Sequence, residues 1–305
     1  MKMKFLIGLS TLALAFAPMS KKVDLQFKLE KGKTYTQTTV MHTETKQSIQ
    51  GMDQIIHQTA SAETKMELKN EGSGSNTYTL WYENISMSID QAGMKQDFSS
   101  DTTALDNVDP MSQIFASMTN RKFDADISLK GKIQDVTGLE EIITDATAPM
   151  GAQASMINDQ ISSGFGDAGL AKNLEMFTAI MPTNTVKVGA SWTNEQYTAS
   201  GLPLILNNTF TLKSLSDGMA TIEVKSDISV DPENSTTDIQ GMKASYFLEG
   251  DRTGTIEMEV NTGFVTTANI DDKIIGSISL ESSPQIPDGM TIPIEMNSNT
   301  KLSSK

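Results

Sequence analysis

Cysteine is absent from this 305-residue sequence, and arginine and histidine each occur only twice. Without cysteine, disulfide bonds, thiolate catalysis and zinc sites built on thiolates are excluded. The net charge of −14 opposes binding to nucleic acids and to anionic membrane surfaces, because affinity for both comes mostly from lysine and arginine. We therefore expect no nucleic-acid partner, and we interpret the acidic surface as a means of staying soluble.

Sequence motifs of the common enzyme classes are missing as well. The chain has no G-x-S-x-G, H-E-x-x-H or G-x-x-x-x-G-K-[ST] segment. Acidic residues come in pairs at Asp124 and Asp126, Glu140-Glu141, and Asp271-Asp272. We expect the first pair to face solvent on a strand, the second to lie in the first turn of a helix, and the third to connect two strands. We therefore predict no catalytic residues, no cofactor and no enzymatic activity.

The N-terminus has the pattern of a secretory signal peptide. Lys2 and Lys4 precede an uncharged apolar stretch (residues 5–16), which is shorter than the roughly 20 residues that a membrane-spanning helix needs. We expect residues 1–20 to be a signal peptide cleaved after Ala17 or Ser20, with a buried N-terminal helix as the alternative. Losing the two lysines would change the net charge from −14 to −16. With no cysteine for lipid attachment, we expect a soluble, periplasmic or secreted protein that has no membrane anchor.

Apolar and polar residues alternate along most of the chain after residue 20, as is typical of β-strands. Residues 23–29 are one such segment, and residues 35–49 and 53–69 predict a long hairpin that turns at Gln50-Gly51. The parity of the apolar positions switches near Glu83-Asn84, which predicts a β-bulge. Further strands are predicted at residues 122–129, 132–136, 204–215, 219–230, 255–260, 264–270, 273–280 and 291–302. Because local turns join these strands, we expect antiparallel pairing.

Helical patterns are confined to the middle of the chain. A short amphipathic helix is predicted from Asp109-Pro110, a capping box at Thr137 and Glu140 predicts a second helix, and residues 153–181 predict a third helical stretch. The fold class is therefore mainly β with a smaller helical insertion (α+β), in which the sheet is antiparallel and curved or forms two layers. We expect a first β meander at residues 21–136, the helical insertion at 137–185 and a second β meander at 186–305.

The two halves of the chain resemble each other weakly. A glycine precedes an aromatic-threonine pair in both halves, at Gly32 and at Gly189, and three further blocks follow in the same order. One interpretation is a duplicated four-strand meander with the helices inserted between the copies. The alternative is that threonine-rich amphipathic strands resemble one another by composition alone.

The helical stretch carries an apolar stripe rich in methionine. The candidate ligand-binding residues are Met156, Leu170, Leu174, Phe177 and Met181. Methionine adapts to apolar partners of varied shape, so this stripe could line a cavity for a hydrophobic ligand. The alternative interpretation is ordinary packing against the sheet.

The two histidines are candidate metal ligands. His42 and His57 lie in the two arms of the predicted hairpin, where a carboxylate such as Glu44 or Asp53 could join them in binding a metal. The alternative is that both are ordinary exposed strand residues. We predict no metal site.

Three segments carry a resemblance to a known family. Residues 25–37, 128–143 and 181–193 together resemble an uncharacterised family of exported proteins from Gram-negative bacteria of the Bacteroidetes type. Many members of that family look like lipoproteins, whereas this chain has no lipid-attachment cysteine. The resemblance implies no catalytic residues, since the family has none assigned.

The function we expect is that of an exported, soluble binding protein for a hydrophobic or lipid-like ligand. One alternative is a protein-interaction or structural module of the cell envelope, which would use its threonine-rich strand edges to pair with a partner protein. A second is a carbohydrate-active hydrolase, which would need two carboxylates brought into one cleft by folding.

Overall fold

The computed structural model describes residues 22–103, 108–198, 202–239, 242–283 and 286–305. The predicted signal peptide lies outside the described residues. The strands are β1 (Thr34–Ile49), β2 (Met52–Glu71), β3 (Ser75–Gln91), β4 (Met94–Ser99), β5 (Phe123–Ser128), β6 (Ile133–Thr137), β7 (Ser191–Tyr197), β8 (Leu204–Ser216), β9 (Met219–Val230), β10 (Thr236–Ile239), β11 (Met242–Glu259), β12 (Val265–Leu280) and β13 (Met290–Ser304). The α-helices are α1 (Pro110–Met118), α2 (Leu139–Thr147), α3 (Ala154–Phe165) and α4 (Asp167–Thr178).

All thirteen strands belong to one curved, unclosed sheet in which neighbouring strands pair antiparallel. Their order along the sheet is β6, β5, β3, β2, β1, β13, β12, β11, β9, β8, β7, with β4 added to β3 and β10 added to β11. A mainly β, antiparallel, curved-sheet fold with a smaller set of helices is therefore confirmed. Strands β1–β6 precede α2 and strands β7–β13 follow α4, while the predicted domain boundaries stay a prediction.

The first hairpin has the turn and the bulge that the sequence predicts. Gln50 and Gly51 have φ angles of 53° and 77°, the left-handed conformation of a tight two-residue hairpin turn. On β3, Asn84 pairs with Glu63 and Tyr82 pairs with Thr64, so Glu83 is the extra residue of a β-bulge.

Helix α4 lies between the two ends of the sheet. The amide of Ile133 on β6 donates to the Glu175 carboxylate (2.8 Å), and the Thr178 hydroxyl donates to the carbonyl of Gly131 in the β5–β6 turn (2.7 Å). From β7, the side chain of Gln196 donates to the carbonyl of Glu175 (2.7 Å). The helix thus joins the first and last strands of the path and fills the gap that the sheet leaves open.

Helix α1 begins where its sequence predicts. Pro110 occupies the first turn, where a missing amide proton costs nothing, and the Asp109 carboxylate accepts from the amide of Ser112 (2.9 Å). The apolar side chains of Ile114, Phe115 and Met118 are buried on one face. Among the described residues, no helix is long and apolar enough to span a membrane.

The predicted capping box before α2 is wrong. Thr137 is the last residue of β6, and its hydroxyl donates to Asp135 (3.3 Å). The residue that precedes the helix is Gly138, which has a φ of 96° and makes no side-chain cap. The strand ends so close to the helix that only a left-handed glycine lets the chain turn between them.

The predicted strand at residues 23–29 is also wrong, although its alternation is correct. Leu25, Phe27 and Leu29 are buried in the core, but the backbone does not pair along one neighbouring strand. Instead, the amide of Phe27 donates to Leu129 (2.9 Å) and that of Lys28 donates to Thr262 (2.8 Å). The segment crosses between two turns of the sheet, and an alternating pattern cannot distinguish such a bridge from a strand.

The predicted break at Asp271-Asp272 does not exist. The predicted strands 264–270 and 273–280 form the single strand β12, and β11 begins at Met242 rather than near residue 255. Asp272 stays within the strand because its carboxylate pairs with Arg252 on β11.

Candidate functional site

Two apolar clusters lie on the face of the sheet that also carries the helices, here called the inner face. The first cluster packs strand residues against α1 to α4 and against residues 23–29. The second, here called the distal cluster, contains no residue of a described helix. Its buried members are Leu204, Leu206, Ile228, Ala244, Tyr246, Leu248 and Ile274.

A row of polar side chains separates the two clusters. Each member lies directly opposite the next one across neighbouring strands, so all of them share the inner face. In order from β7 to β2, this polar row consists of Asn194, Asn208, Ser226, Arg252, Asp272, Ser298, Thr43 and Gln58. The row crosses eight strands and divides the inner face into a helix-covered side and a distal side.

The centre of the polar row is a buried ion pair. Arg252 donates to Asp272 through Nε (2.6 Å) and Nη2 (2.8 Å), and the two side chains are only 6% and 14% exposed. Gly250 and Gly254 flank Arg252 on the same face of β11. A Cβ atom on Gly254 would lie 2.5 Å from the Ile270 side chain, so these positions have no room for larger residues.

At the β7 end, the polar row connects to the C-terminus of α4. Asn208 donates to the side-chain oxygens of Asn194 (2.9 Å) and Gln196 (3.0 Å). Asn194 and Gln196 donate in turn to the carbonyl of Ala179 just after the helix. Because the last carbonyls of a helix have no partner within it, these amides satisfy them and fix α4 against the sheet.

Beyond the polar row, the inner face of β1, β2 and β13 stays apolar. Ile49, Ile56, Ile292, Ile294 and Met296 point to this side and are all partly exposed. Together with the distal cluster they form what we call the distal face. At its rim, Met52 is 61% and Met94 is 72% exposed.

Three glutamines interrupt the apolar side chains of the distal face. Gln47 and Gln91 both donate to the side-chain oxygen of Gln54, each at 3.1 Å. Their mutual hydrogen bonds satisfy part of their polar groups within the sheet. The distal face is therefore a mixed surface, mostly of isoleucine and methionine with a small amide cluster.

The opposite, outer face of the sheet carries a polar depression of about 590 Å³ over β1, β2, β11, β12 and β13. It lies over the same stretch of strands that carries Thr43, Asp272 and Ser298 of the polar row on the inner face. The outward-pointing residues that line it include His42, Glu44, His57, Asp271, Lys273 and Asn299. We call this feature the outer depression.

The residues predicted to line a hydrophobic cavity lie in the core on the helix-covered side. Leu170, Phe177 and Met181 are buried in the first apolar cluster, and Leu174 packs against it. The side chain of Met156 lies outside the described part of the structure. A cavity of only about 10 Å³, enough for one water molecule, lies beside the neighbouring Met176. A ligand site at these residues stays a prediction.

The two histidines come together as the predicted hairpin requires. His57 lies opposite Glu44 (Nδ1 to Oε2, 3.8 Å), and His42 lies opposite Thr59 (Nδ1 to Oγ1, 2.9 Å). Asp53 pairs with Ser48 at the turn. In the part of the chain that the structure describes, no group of three or more metal-binding side chains is found.

Sequence reasoning missed the Arg252–Asp272 pair and the distal face. One signal was available: Ile270, Asp272 and Ile274 keep a strand alternation across the supposed break, which indicates an inward-facing acid that needs a partner. Arg252 is one of only two arginines and was the natural candidate for that partner.

The fold and the site define a class of protein: a curved antiparallel sheet, joined at its two ends by a helix, with a polar row across its inner face. The model of a family of unknown function, DUF6263, matches residues 73–265, which is more than half of the chain, and the chain belongs to this family. The match includes the sequence motifs at residues 128–143 and 181–193.

No curated protein matches the chain. Among solved structures, the chain is similar to the beta domain of the Bordetella autotransporter Brka (8% identity, 89% of this chain and 99% of that one, TM-score 0.25). It is also similar to an outer membrane channel from Pseudomonas putida F1 (8%, 92% and 97%, TM-score 0.25). A third is OccK7 from Pseudomonas aeruginosa (6%, 90% and 99%, TM-score 0.24). TM-scores this low carry no argument about fold or function.

Proposed function

We propose that this protein is an exported binding protein that holds an apolar, lipid-like ligand on its distal face. The observation that carries the proposal is that the isoleucines of β1, β2 and β13 and Met296 stay partly exposed on the inner face beyond the polar row, beside the buried distal cluster. A sheet face of isoleucine and methionine is usually covered, and here the covering element would be the ligand. On this proposal, the ligand lies on the opposite side of the polar row from the helix residues expected from the sequence.

The chemistry of the distal face suits an acyl chain or a similar molecule. Ile56, Ile294 and Met296 offer partly exposed apolar surface, and methionine adapts to ligands of varied shape. The Gln54 amide cluster and the polar row could each meet a polar group at the end of such a chain. Burying about eight methylenes contributes roughly 6 kcal/mol, which corresponds to a dissociation constant on the order of 10–100 μM.

The direct test is binding of the neutral apolar probe 1-N-phenylnaphthylamine, followed by fluorescence. We expect saturable binding to the wild-type chain and at least fivefold weaker binding to Ile56→Asn and Ile294→Asn, because each places an amide in the apolar surface. The matched control is Ile275→Asn, since Ile275 is 53% exposed on the outer face of β12. It should bind the probe as the wild type does.

Two results would contradict this function. One is the absence of saturable probe binding, together with native mass spectra of protein purified from its own host that show no bound lipid. The other is binding that Ile56→Asn and Ile294→Asn leave unchanged.

We also propose that the sheet arose by duplication of a β meander. In support, the first half of the path runs β6, β5, β3, β2, β1 and the second runs β12, β11, β9, β8, β7, with β13 between them. The two matched glycines, Gly32 and Gly189, both have left-handed φ angles (79° and 87°) just before β1 and β7. The duplication can be tested by superposing the two halves of an experimental structure. We expect β1 to β3 to align on β7 to β9.

A further inference from the structure

We propose that the outer depression is a second, separate binding site, and that it takes a neutral, hydroxyl-rich molecule of the carbohydrate class. The site does not depend on the proposed lipid-like ligand, because it lies on the other face of the sheet. Its volume of about 590 Å³ falls within the usual range for small-molecule sites.

The floor of the depression is rigid. It is formed by central strands of the sheet, where β13 pairs with β1 on one side and with β12 on the other. Across these strands, His42 lies opposite Asn299, which lies opposite Asp271, while Glu44 lies opposite Asn297, which lies opposite Lys273. Polar groups are therefore spaced at the distance between strands, about 4.8 Å.

Several of these groups are already oriented. The Asn299 amide donates to Asp271 (2.7 Å) and to Asn269 (3.1 Å), and the His42 ring is held by Thr59 (2.9 Å). Lys273 makes no salt bridge with any described residue, so its ammonium group is available to a ligand. A preoriented site loses less side-chain entropy when a ligand binds.

The depression holds charged side chains of both signs. The charged side chains that point outward into it are Glu44, Asp271 and Lys273, beside the imidazoles of His42 and His57. The two acids oppose an anion, whereas the carboxylates can accept hydrogen bonds from a neutral ligand and the ammonium can donate to it. A hydroxyl group donates and accepts at once, so a row of hydroxyls can satisfy acceptors and donors that alternate across the strands.

Among the described residues, the lining contains no phenylalanine, tyrosine or tryptophan side chain. Recognition would therefore rest on hydrogen bonds rather than on stacking against a sugar ring, and we expect dissociation constants in the range of about 0.1–5 mM. Such weak binding is detectable by saturation-transfer difference NMR.

The experiment uses the full mature chain with maltotetraose, cellotetraose and N-acetylchitotetraose as probes. We expect saturation transfer from at least one of them, and a loss of at least fivefold in affinity for Asp271→Asn and for Lys273→Met. The matched control is Lys301→Met, which removes a lysine from the same outer face outside the lining and should keep the affinity. Urea unfolding checks that all variants are folded.

The proposal is overturned if none of the three oligosaccharides transfers saturation at 10 mM, or if Asp271→Asn and Lys273→Met bind as the wild type does. It is also overturned if inorganic phosphate competes fully, because the site would then be an anion site. The oligosaccharide result does not depend on whether 1-N-phenylnaphthylamine binds the distal face. The proposed lipid-like ligand and the proposed carbohydrate site can therefore be refuted independently.

Discussion

Arg252 places a guanidinium group on the inner face of the sheet, where an unpaired charge is costly. The bidentate contact with Asp272 satisfies both charges, and β11 packs so closely on β12 at the flanking Gly250 and Gly254 that a Cβ atom at either would collide with β12. Buried pairs of this kind add little to stability compared with well-packed apolar residues, but losing one partner is expensive because the other stays buried and charged.

Replacing this arginine should therefore destabilise the protein strongly. We expect Arg252→Met to lower the free energy of unfolding by about 3–5 kcal/mol, because Asp272 is left buried without a partner. The double variant Arg252→Met/Asp272→Leu should recover most of the loss. Urea unfolding followed by circular dichroism measures both.

The other arginine provides the control. Arg121 forms a surface pair with Asp145 (2.9 Å) in which the side chains are 38% and 56% exposed, so Arg121→Met should cost less than about 1 kcal/mol. An Arg252→Met variant as stable as Arg121→Met would refute the role given to the buried pair.

Two glycines with similar backbone angles give a second matched test. Gly131 (φ 80°) would place a Cβ atom 1.7 Å from the Thr178 carbonyl, whereas Gly32 (φ 79°) has nothing within 4 Å. Gly32→Ala should cost only the left-handed conformation, about 1 kcal/mol. Gly131→Ala must also push α4 away from the β5–β6 turn, so we expect a loss of about 3 kcal/mol or more. Equal thermal midpoints for the two variants would contradict close packing of α4 there.

At the scale of elements, the junction of α3 and α4 contains a destabilising carboxylate, that of Asp167. One carboxylate oxygen of Asp167 is buried and has no hydrogen-bond partner among the described residues, although the residue as a whole is only partly buried. Burial raises the pKa of Asp167, and the negative charges of Glu140 and Asp135 raise it further. The folded state therefore binds this proton more tightly than the unfolded chain does, and the ionised form at neutral pH costs stability.

Asp167→Asn should relieve this cost. Because the pKa of Asp167 is higher in the folded than in the unfolded chain, the penalty is present above the folded pKa and disappears as the pH falls toward the usual aspartate value of about 3.9. We expect a higher urea midpoint than the wild type at pH 7 and an equal one at pH 3. The control Glu141→Gln removes an exposed charge from α2 and should change little. A lower midpoint for Asp167→Asn at pH 7 would show that the carboxylate is needed.

At the scale of the whole molecule, local patterns predict the strands and turns well, because they depend on neighbours in the sequence. The Gln50-Gly51 turn, the bulge at Glu83 and helix α1 are all confirmed from such signals. The prediction of a capping box at Thr137 is wrong because Thr137 is the last residue of the preceding strand, β6. The prediction of a strand at residues 23–29 is wrong because this segment bonds to two turns that are distant in the sequence, and no local pattern indicates such partners.

The candidate sites depend on register, which the sequence pattern does not provide. The polar row exists because Asp272, Ser298 and Thr43 lie opposite one another on β12, β13 and β1, and these strands come from the two ends of the chain. The apolar stripe of α4 is visible in the sequence, but its side chains are packed against the sheet. The partly exposed apolar surface is instead on the distal face. That surface becomes evident only once Ile56, Met296 and Ile274 are placed on one face.

The most direct test of a ligand site on the distal face is a titration of isoleucine-methyl-labelled protein with decanoate, observed by NMR. We predict that the methyl signals of Ile49, Ile56, Ile292 and Ile294 shift together and saturate, while those of Ile142 and Ile143, which are buried residues of helix α2, stay in place. Shifts centred on Ile142 and Ile143, or no saturable shift at all, would contradict a ligand site on the distal face.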